Sequence, residues 1–385
     1  KIALTRIQQC EAYYKQSQAA FLPGLNANAN VALNKLSDAQ GGNFINNSRV
    51  YQLGLSTSWE ADIWGKLSSS RRASLATLLQ NQAYSRAVQT GIVATVANYY
   101  YTLLALDQQL SITEQTVKNW MASVETMRAL KEAAVVTGAA VVQSEANRYA
   151  VEVTIPDLKQ RIRETENALS IVLGRAPGPI SRSNLDAQVE STVFNIGVPA
   201  QLLSNRPDVQ QAEYNYRYFF ESTNVARSYF YPSLTITAGG GLSNIALQDF
   251  FSSGSVFANL AGGLTQPIFN KRINKTRLEV ARATQQEALL SFQNSLLQAG
   301  REVSDALSDY RTGVEKNSLR SQQLASLRKS IEFTQELLKY GSANYTEVIN
   351  AQQSYLGAQL NRVNDRVQQL QATVELYRAL GGGWK

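Results

Sequence analysis

Two stretches of alternating side chains, Phe21–Trp64 and Phe230–Phe269, interrupt a chain that otherwise reads as long helices. From Leu25 to Asn34 apolar residues hold the odd positions and asparagine all but one of the even ones. A polar segment, Lys35–Ser48, separates this run from a second alternating run, Tyr51–Glu60, and the pair is echoed by Leu234–Leu242 and Val256–Leu264. Successive strand side chains point to opposite faces, so each run has one apolar and one polar face. An ordinary half-buried antiparallel sheet would also alternate. The flanks separate the two readings. Phe21, Tyr51, Trp59 and Trp64 in the first pair, and Tyr229, Phe230, Tyr231 and Phe269 in the second, gather where strands begin and end. Amphipathic rings flanking an apolar band are what two membrane–water interfaces select, and a row of asparagines suits a wet lumen better than a dry core. Four strands cannot close a barrel, and an open edge in lipid leaves backbone groups unpaired. The expected fold is therefore an α+β membrane protein in which several chains share one transmembrane barrel.

Composition narrows the rest. No apolar run approaches the ~18 residues of a membrane-spanning helix, which excludes a helical membrane protein but not a barrel. The net charge of +7 comes from basic and acidic residues intermixed along the helices, the pattern of a solvated helical surface and not of a nucleic-acid site. A single cysteine, Cys10, rules out an intrachain disulfide framework, and its neighbours Arg6-Ile7-Gln8-Gln9 are no lipidation context. Histidine is absent, removing the commonest general base and metal ligand. Gly239-Gly240-Gly241 lies inside a strand, so it lets a sheet bend and is no phosphate cradle. Asp305, Asp309 and Arg311 sit at helical spacing without a nucleophile and read as coil surface. No enzyme, metal site or cofactor is expected.

The chain is an internal repeat. Phe21-Leu22-Pro23 matches Phe230-Tyr231-Pro232 at a spacing of 209 residues, and Ile63-Trp64-Gly65-Lys66 matches Ile268-Phe269-Asn270-Lys271 at 205. Val136-Thr137-Gly138 matches Lys339-Tyr340-Gly341 at 203, and Leu169–Gly174 matches Leu376–Gly381. After each strand pair, apolar positions recur in steps of three and four: Val88, Ile92, Val96, Tyr99, Leu103, Leu106 and Leu110, then Leu289, Phe292, Leu296, Ala299, Val303, Ala306 and Tyr310. That is a heptad signature of packed helices, each about seventy residues long, or ~105 Å at ~1.5 Å per residue. Gly138 and Gly341 read as the turns of two helical hairpins. The organisation expected is repeat one over 1–174, with strands in 21–64 and a hairpin over 66–173, and a turn-rich connector over 175–202. Repeat two covers 203–385, with strands in 230–269 and a hairpin over 271–380. Pro207-Asp208 marks a helix start. The opening Lys1-Ile2-Ala3-Leu4 reads as a helix already under way, so a further N-terminal part carrying any targeting sequence is expected ahead of it.

Leu203-Ser204-Asn205-Arg206-Pro207-Asp208-Val209, Tyr231-Pro232-Ser233-Leu234, Leu264-Thr265-Gln266-Pro267-Ile268-Phe269 and the ending Ala379-Leu380-Gly381-Gly382-Gly383-Trp384, together with the duplicated plan, resemble the TolC-type outer-membrane efflux proteins. The likeness is greatest to the lipoprotein branch that serves resistance–nodulation–division pumps. The resemblance implies a homotrimer whose four strands per chain form a twelve-stranded barrel in the outer membrane, continuous with an α-helical barrel crossing the periplasm. It implies a passive duct, closed at its periplasmic tip until a periplasmic adaptor and an inner-membrane pump engage it. A signal peptide, often with a lipidated cysteine, would precede the sequence.

Within that expectation the hairpin tips matter most. Ala133–Val142 is the longest nearly apolar run in the chain; it is expected either to pack between neighbouring helices or to offer a docking surface, since an exposed apolar patch marks a partner. Val136, Gly138, Ala139, Gly341, Ser342 and Tyr345 are the candidate turn and adaptor-docking residues. Counted from Gly341, Glu347 and Asn350 fall where relatives place acidic residues lining a closed pore mouth, with Ser144 as the repeat-one equivalent. Glu347 could instead simply favour its helix N-terminus. Protein secretion or metal-ion efflux on the same fold, and a soluble coiled-coil scaffold with a β cap, are the alternatives; only Met121 and Met127 are available for soft-metal export.

Overall fold

The computed structural model describes residues 1–34, 48–188, 205–340, 342 and 344–383. The expected loop over 35–47, the connector beyond Gln188, Leu203 and Ser204, the turn residue Gly341 and Trp384 lie outside the described residues. Helix α1 (Ile2–Ala19) leads into strands β1 (Gly24–Asn34) and β2 (Ser48–Ala61), then α2 (Lys66–Glu132), α3 (Gly138–Glu152) and α4 (Thr154–Val172). The second half runs α5 (Pro207–Ser228), β3 (Ser233–Asn244), β4 (Val256–Thr265), α6 (Ile273–Lys339) and α7 (Tyr345–Ala379). Two compact units result, Lys1–Ser85 with Asp208–Ser295, and Arg86–Pro207 with Leu296–Lys385. Each draws a segment from both sequence repeats, so the units cut across the duplication.

The first unit holds one antiparallel sheet in the order β1-β2-β3-β4. Its register joins the two strand pairs: Leu25 lies opposite Thr57, Leu53 opposite Leu242, and Leu242 opposite Val256. Because opposed residues share a face, Leu25, Val31, Leu33, Leu53, Leu55, Trp59, Leu234, Ile236, Leu260 and Leu264 fall on one side. Asn26, Asn28, Asn30, Gln52, Ser56, Thr235, Thr237 and Asn259 fall on the other, where Asn28 Nδ2 donates to Ser56 Oγ at 2.7 Å. On the apolar side Leu25, Val31, Leu33, Leu53, Leu55, Leu260 and Leu264 are exposed in the single chain while Leu234, Ile236 and Leu242 of β3 are half-buried, and among the described residues β1 and β4 have unpaired outer edges. Glycine is required where strands crowd: a Cβ on Gly241 would stand 2.2 Å from the Leu53 carbonyl oxygen and 2.5 Å from Gly54 Cα. Helix α1 buries no residue at all, and a helix with no buried face draws little stability from its own chain.

The rings expected at the two interfaces are distributed unevenly. Phe21, Trp59, Trp64, Tyr229, Phe230 and Phe269 sit at the end of the sheet from which the helices leave and Tyr51, opposite Asn244, near the other, where Phe250, Phe251 and Phe257 also lie. The helix-side rim is built tightly. Trp59 Nε1 donates to the Phe21 carbonyl at 2.8 Å, Trp64 Nε1 donates to the Pro232 carbonyl at 2.7 Å, and the Trp64 ring stacks on Tyr231 with centroids 4.7 Å apart. Asp62 caps α2, accepting from the Leu67 amide at 2.7 Å and the Ser68 amide at 2.8 Å. Arg72 Nε donates to Glu221 Oε1 at 2.7 Å, fixing α2 to α5.

In the second unit α7 is the most buried helix, with Val363, Val367 and Leu370 packed on Leu104 and Ala105 of α2 and on Leu185 of the connector. The seam departs from the heptad expectation at Ile92, which is exposed, because the smaller Thr90 and Ala94 turn inward. The expected unbroken arm after Gly138 is divided at Val153. Pro156 lies in the first turn of α4, where it has no N–H to return to Glu152 and its ring crowds that carbonyl. Repeat two has no proline there, and α7 runs unbroken for 35 residues. The Asn205-Arg206-Pro207 motif is structural. Arg206 is buried, donating from Nη2 to Glu302 Oε2 at 2.7 Å and from Nη1 to the Ala379 carbonyl at 3.2 Å, where α7 ends. The glycine ending folds back over it: Gly381 has φ 82°, and a Cβ on Gly382 would meet the Tyr377 ring at 2.5 Å.

Candidate functional site: the hairpin tips

Helix α2 ends in a Schellman turn. The Val135 amide donates to the Leu130 carbonyl at 2.9 Å and the Ala134 amide to Lys131 at 3.0 Å, with Ala134 in the left-handed region at φ 58°. Gly138 is not the turn residue. It opens α3, behind the N-cap Thr137. At the second tip the Ser342 amide donates to the Leu337 carbonyl at 2.9 Å, the same bond displaced by 207 residues. Helices α2 and α6 both span 67 residues, beginning at Lys66 and Ile273, so the spacing of 207 holds throughout the hairpin. Gly341 therefore matches Ala134 and not Gly138, and Glu347 matches Ala140 and not Ser144. The glycine-to-glycine match at a spacing of 203 is off by four residues because the left-handed position in repeat one carries alanine.

The apolar run divides between two fates. Val136, Ala140 and Val141 turn inward onto Met127 and Leu130 of α2, Leu338 of α6, and Val348 and Tyr345 of α7. Val135, Ala139 and Val142 face outward. Arg128 braces this tip, donating from Nη2 to Glu145 Oε1 at 2.6 Å. Ser342 is exposed, and Asn344 caps α7 by accepting from the Thr346 amide at 3.2 Å.

Glu347 and Asn350 are both exposed. They begin a stripe on α7, spaced three and four residues apart, that continues through Ser354, Gly357 and Asn361, all exposed and small or uncharged. The structure does not bring Ser144 to this surface: it is wholly buried on α3 within the single chain. Ser354, Gly357 and Asn361 were missed in the sequence because an uncharged stripe carries no chemical motif; its three-four spacing was the available signal. Farther from the tip, Arg182 joins the connector to α2 through Asp107 and to α4 through Glu166, with Nη2 to Asp107 Oδ1 at 2.8 Å and Nη1 to Glu166 Oε1 at 2.6 Å. Hydrogen bonding to Asp107, then to Glu166, holds this guanidinium more firmly protonated than an ordinary arginine. Among the described residues no cluster of acidic or sulfur side chains has the arrangement of a metal site.

The class defined by this sheet and these hairpins is the outer-membrane channel: an α+β membrane protein in which four strands from each of three chains make a twelve-stranded barrel that accompanies a long helical barrel. The chain belongs to the outer membrane efflux protein family, which matches residues 2–175 and 198–382. It is 28% identical to the cation efflux system protein CusC of an Escherichia coli strain, over all of this chain and 83% of that protein. It is 27% identical to the solvent efflux pump outer membrane protein SrpC of Pseudomonas putida, over all of this chain and 82% of that protein. Among solved structures, it superposes on CusC with a TM-score of 0.92 at 24% identity, covering 99% of this chain and 88% of that one. The outer-membrane channel OprN gives 0.93 at 22% identity, covering 100% and 86%. The family is one of transport and not of catalysis, and its place is the bacterial outer membrane, extending into the periplasm.

Proposed function

We propose that this chain is the passive exit duct of a tripartite efflux system, gated at its periplasmic hairpin tips and opened when an adaptor and an inner-membrane pump engage it. The observation that carries the reading is the open sheet whose apolar face is exposed on β1, β2 and β4 and whose two edges are unpaired among the described residues, which three copies complete into one wall. The outward-facing Val135, Ala139 and Val142 of the first tip, with Ser342 at the second, are the adaptor's docking surface. Gly138 and Tyr345 shape the tips from within. The stripe from Glu347 and Asn350 through Asn361 lines the path, giving solutes a surface with few fixed charges. Three Glu347 carboxylates around the axis repel one another and favour cations at the mouth.

Small organic molecules, drugs among them, are the cargo this surface suits. CusC and SrpC are named for cations and for solvents at nearly equal identity, so relatedness does not choose between these classes. Selection is left to the pump. The test is conductance in planar bilayers: Glu347→Ala is expected to lower cation preference and leave assembly intact. Unchanged ion selectivity would remove Glu347 from the pore mouth.

A further inference from the structure

At the helix-side rim of the sheet, each repeat leaves its last strand through an exposed isoleucine–aromatic pair and then a cation. Ile63 and Trp64 precede Lys66; Ile268 and Phe269, 99% and 86% exposed, precede Lys271 and Arg272. The rim is rich in positive charge. Between Ile268 and Arg282 stand Lys271, Arg272, Lys275, Arg277 and Arg282 against the single acid Glu279. Arg272 pairs with Glu279 at 3.1 Å, Arg277 lies 3.9 Å from the Tyr229 ring centroid, and Arg71 lies 5.3 Å from that of Phe21. Lys271 and Lys275 are exposed and have no carboxylate partner among the described residues. Folding alone does not account for this arrangement: cations in the first turns of a helix oppose its dipole. The rim is continuous with the apolar, lipid-facing side of the sheet, through Leu260 and Leu264 to Ile268 and Phe269.

We propose that this rim recognises the anionic phospholipid headgroups of the membrane leaflet on the helix side. Ile268, Phe269 and Trp64 sit at the acyl–headgroup boundary, where amphipathic rings partition, and Lys271 and Lys275 stand at headgroup depth. Each lysine or arginine near an anionic lipid surface strengthens binding about fivefold, and salt screens the effect. The repeat places two such stations on every chain, six around the threefold axis, and the station at Lys271 is the stronger because Lys66 is already paired with Glu60 at 2.9 Å. The inference rests on the membrane-spanning placement of the sheet and is independent of gating.

The experiment is lipid binding to the delipidated full chain in detergent, followed by native mass spectrometry with phosphatidylglycerol and phosphatidylcholine as probes. The wild type is expected to retain phosphatidylglycerol preferentially, with the preference shrinking as salt is raised. Lys271→Gln with Lys275→Gln is expected to weaken phosphatidylglycerol binding about fivefold per cation removed and leave phosphatidylcholine binding unchanged. Lys118→Gln with Lys329→Gln, distant exposed cations of the second unit, keeps the wild-type preference. Equal retention of the two lipids by the wild type would overturn the proposal. So would an undiminished preference in the Lys271/Lys275 variant, or displacement of the lipid by inorganic phosphate, which would mean a generic anion site. Oligomer size and bilayer conductance, measured on the same variant, keep a failure of this inference distinct from a failure of the channel reading.

Discussion

Single residues at the tips and junctions carry costs and bonds that can be measured. Ala134 holds a left-handed backbone that costs an L-residue roughly 1–2 kcal/mol, so Ala134→Gly is expected to raise stability by about 1 kcal/mol. Gly138, with an ordinary φ and only the Lys131 side chain near its absent Cβ at 3.7 Å, should accept alanine without loss. Thermal unfolding of the detergent-solubilised assembly checks both, and the opposite order would contradict the Schellman assignment. Arg206 is a different case. Its removal takes one of two cations from Glu302, which keeps Arg378 at 3.4 Å, and leaves the Ala379 carbonyl at the end of α7 without that donor, so Arg206→Ala is expected to cost about 1–3 kcal/mol, measured by the same unfolding. Arg378→Ala, at a partly exposed pair, should cost under about 1 kcal/mol. At Glu221, burial raises the carboxyl's proton affinity, but the bonds from Arg72 and Asn224 more than reverse this and hold its pKa below the ordinary glutamate value. A carboxylate depressed in the fold contributes stability above its unfolded pKa, and that contribution is lost as pH falls through the folded one. On the acid side, stability followed by thermal unfolding should therefore fall less steeply in Glu221→Gln than in the wild type.

At the level of elements, much was legible because it is periodic. The alternation of Leu25–Asn34 located β1 to within a residue, and the hairpin expected over 271–380 ends within a residue of α7's last residue, Ala379. Pro207 marked the start of α5, since a proline costs nothing where no N–H is needed. What escaped was set by local backbone geometry. The tip turn was placed on Gly138 because glycine is the usual left-handed residue, yet Ala134 occupies that position, and the error carried through to Ser144. The break at Val153 was overlooked although Pro156 stood in plain view, because the surrounding apolar spacing continues across it. The sorting of the expected rings between the two ends of the sheet depends on which strand ends share a rim, and that follows from the β2–β3 pairing, which joins segments far apart in the chain. The uncharged stripe below Glu347 had no motif to announce it.

For the molecule as a whole, the sheet's two faces give a test that uses neighbouring positions. Leu260 lies on the exposed apolar face and Asn259 on the polar one, both near the middle of β4. A lysine facing lipid at the midplane costs about 2–4 kcal/mol, and one facing a wet lumen far less. Leu260→Lys should therefore deplete assembled protein in the outer-membrane fraction, and Asn259→Lys should leave it near the wild-type level, as read by membrane fractionation and oligomer size. Equal tolerance at the two positions would mean that neither face meets lipid. The proline at 156 has its own reach at this scale. Each chain therefore carries two hairpins that differ: the return arm of one is interrupted at Val153, whereas that of the other runs unbroken for 35 residues. A likeness that the duplication wrote into the sequence is not carried into an equal run of backbone hydrogen bonds.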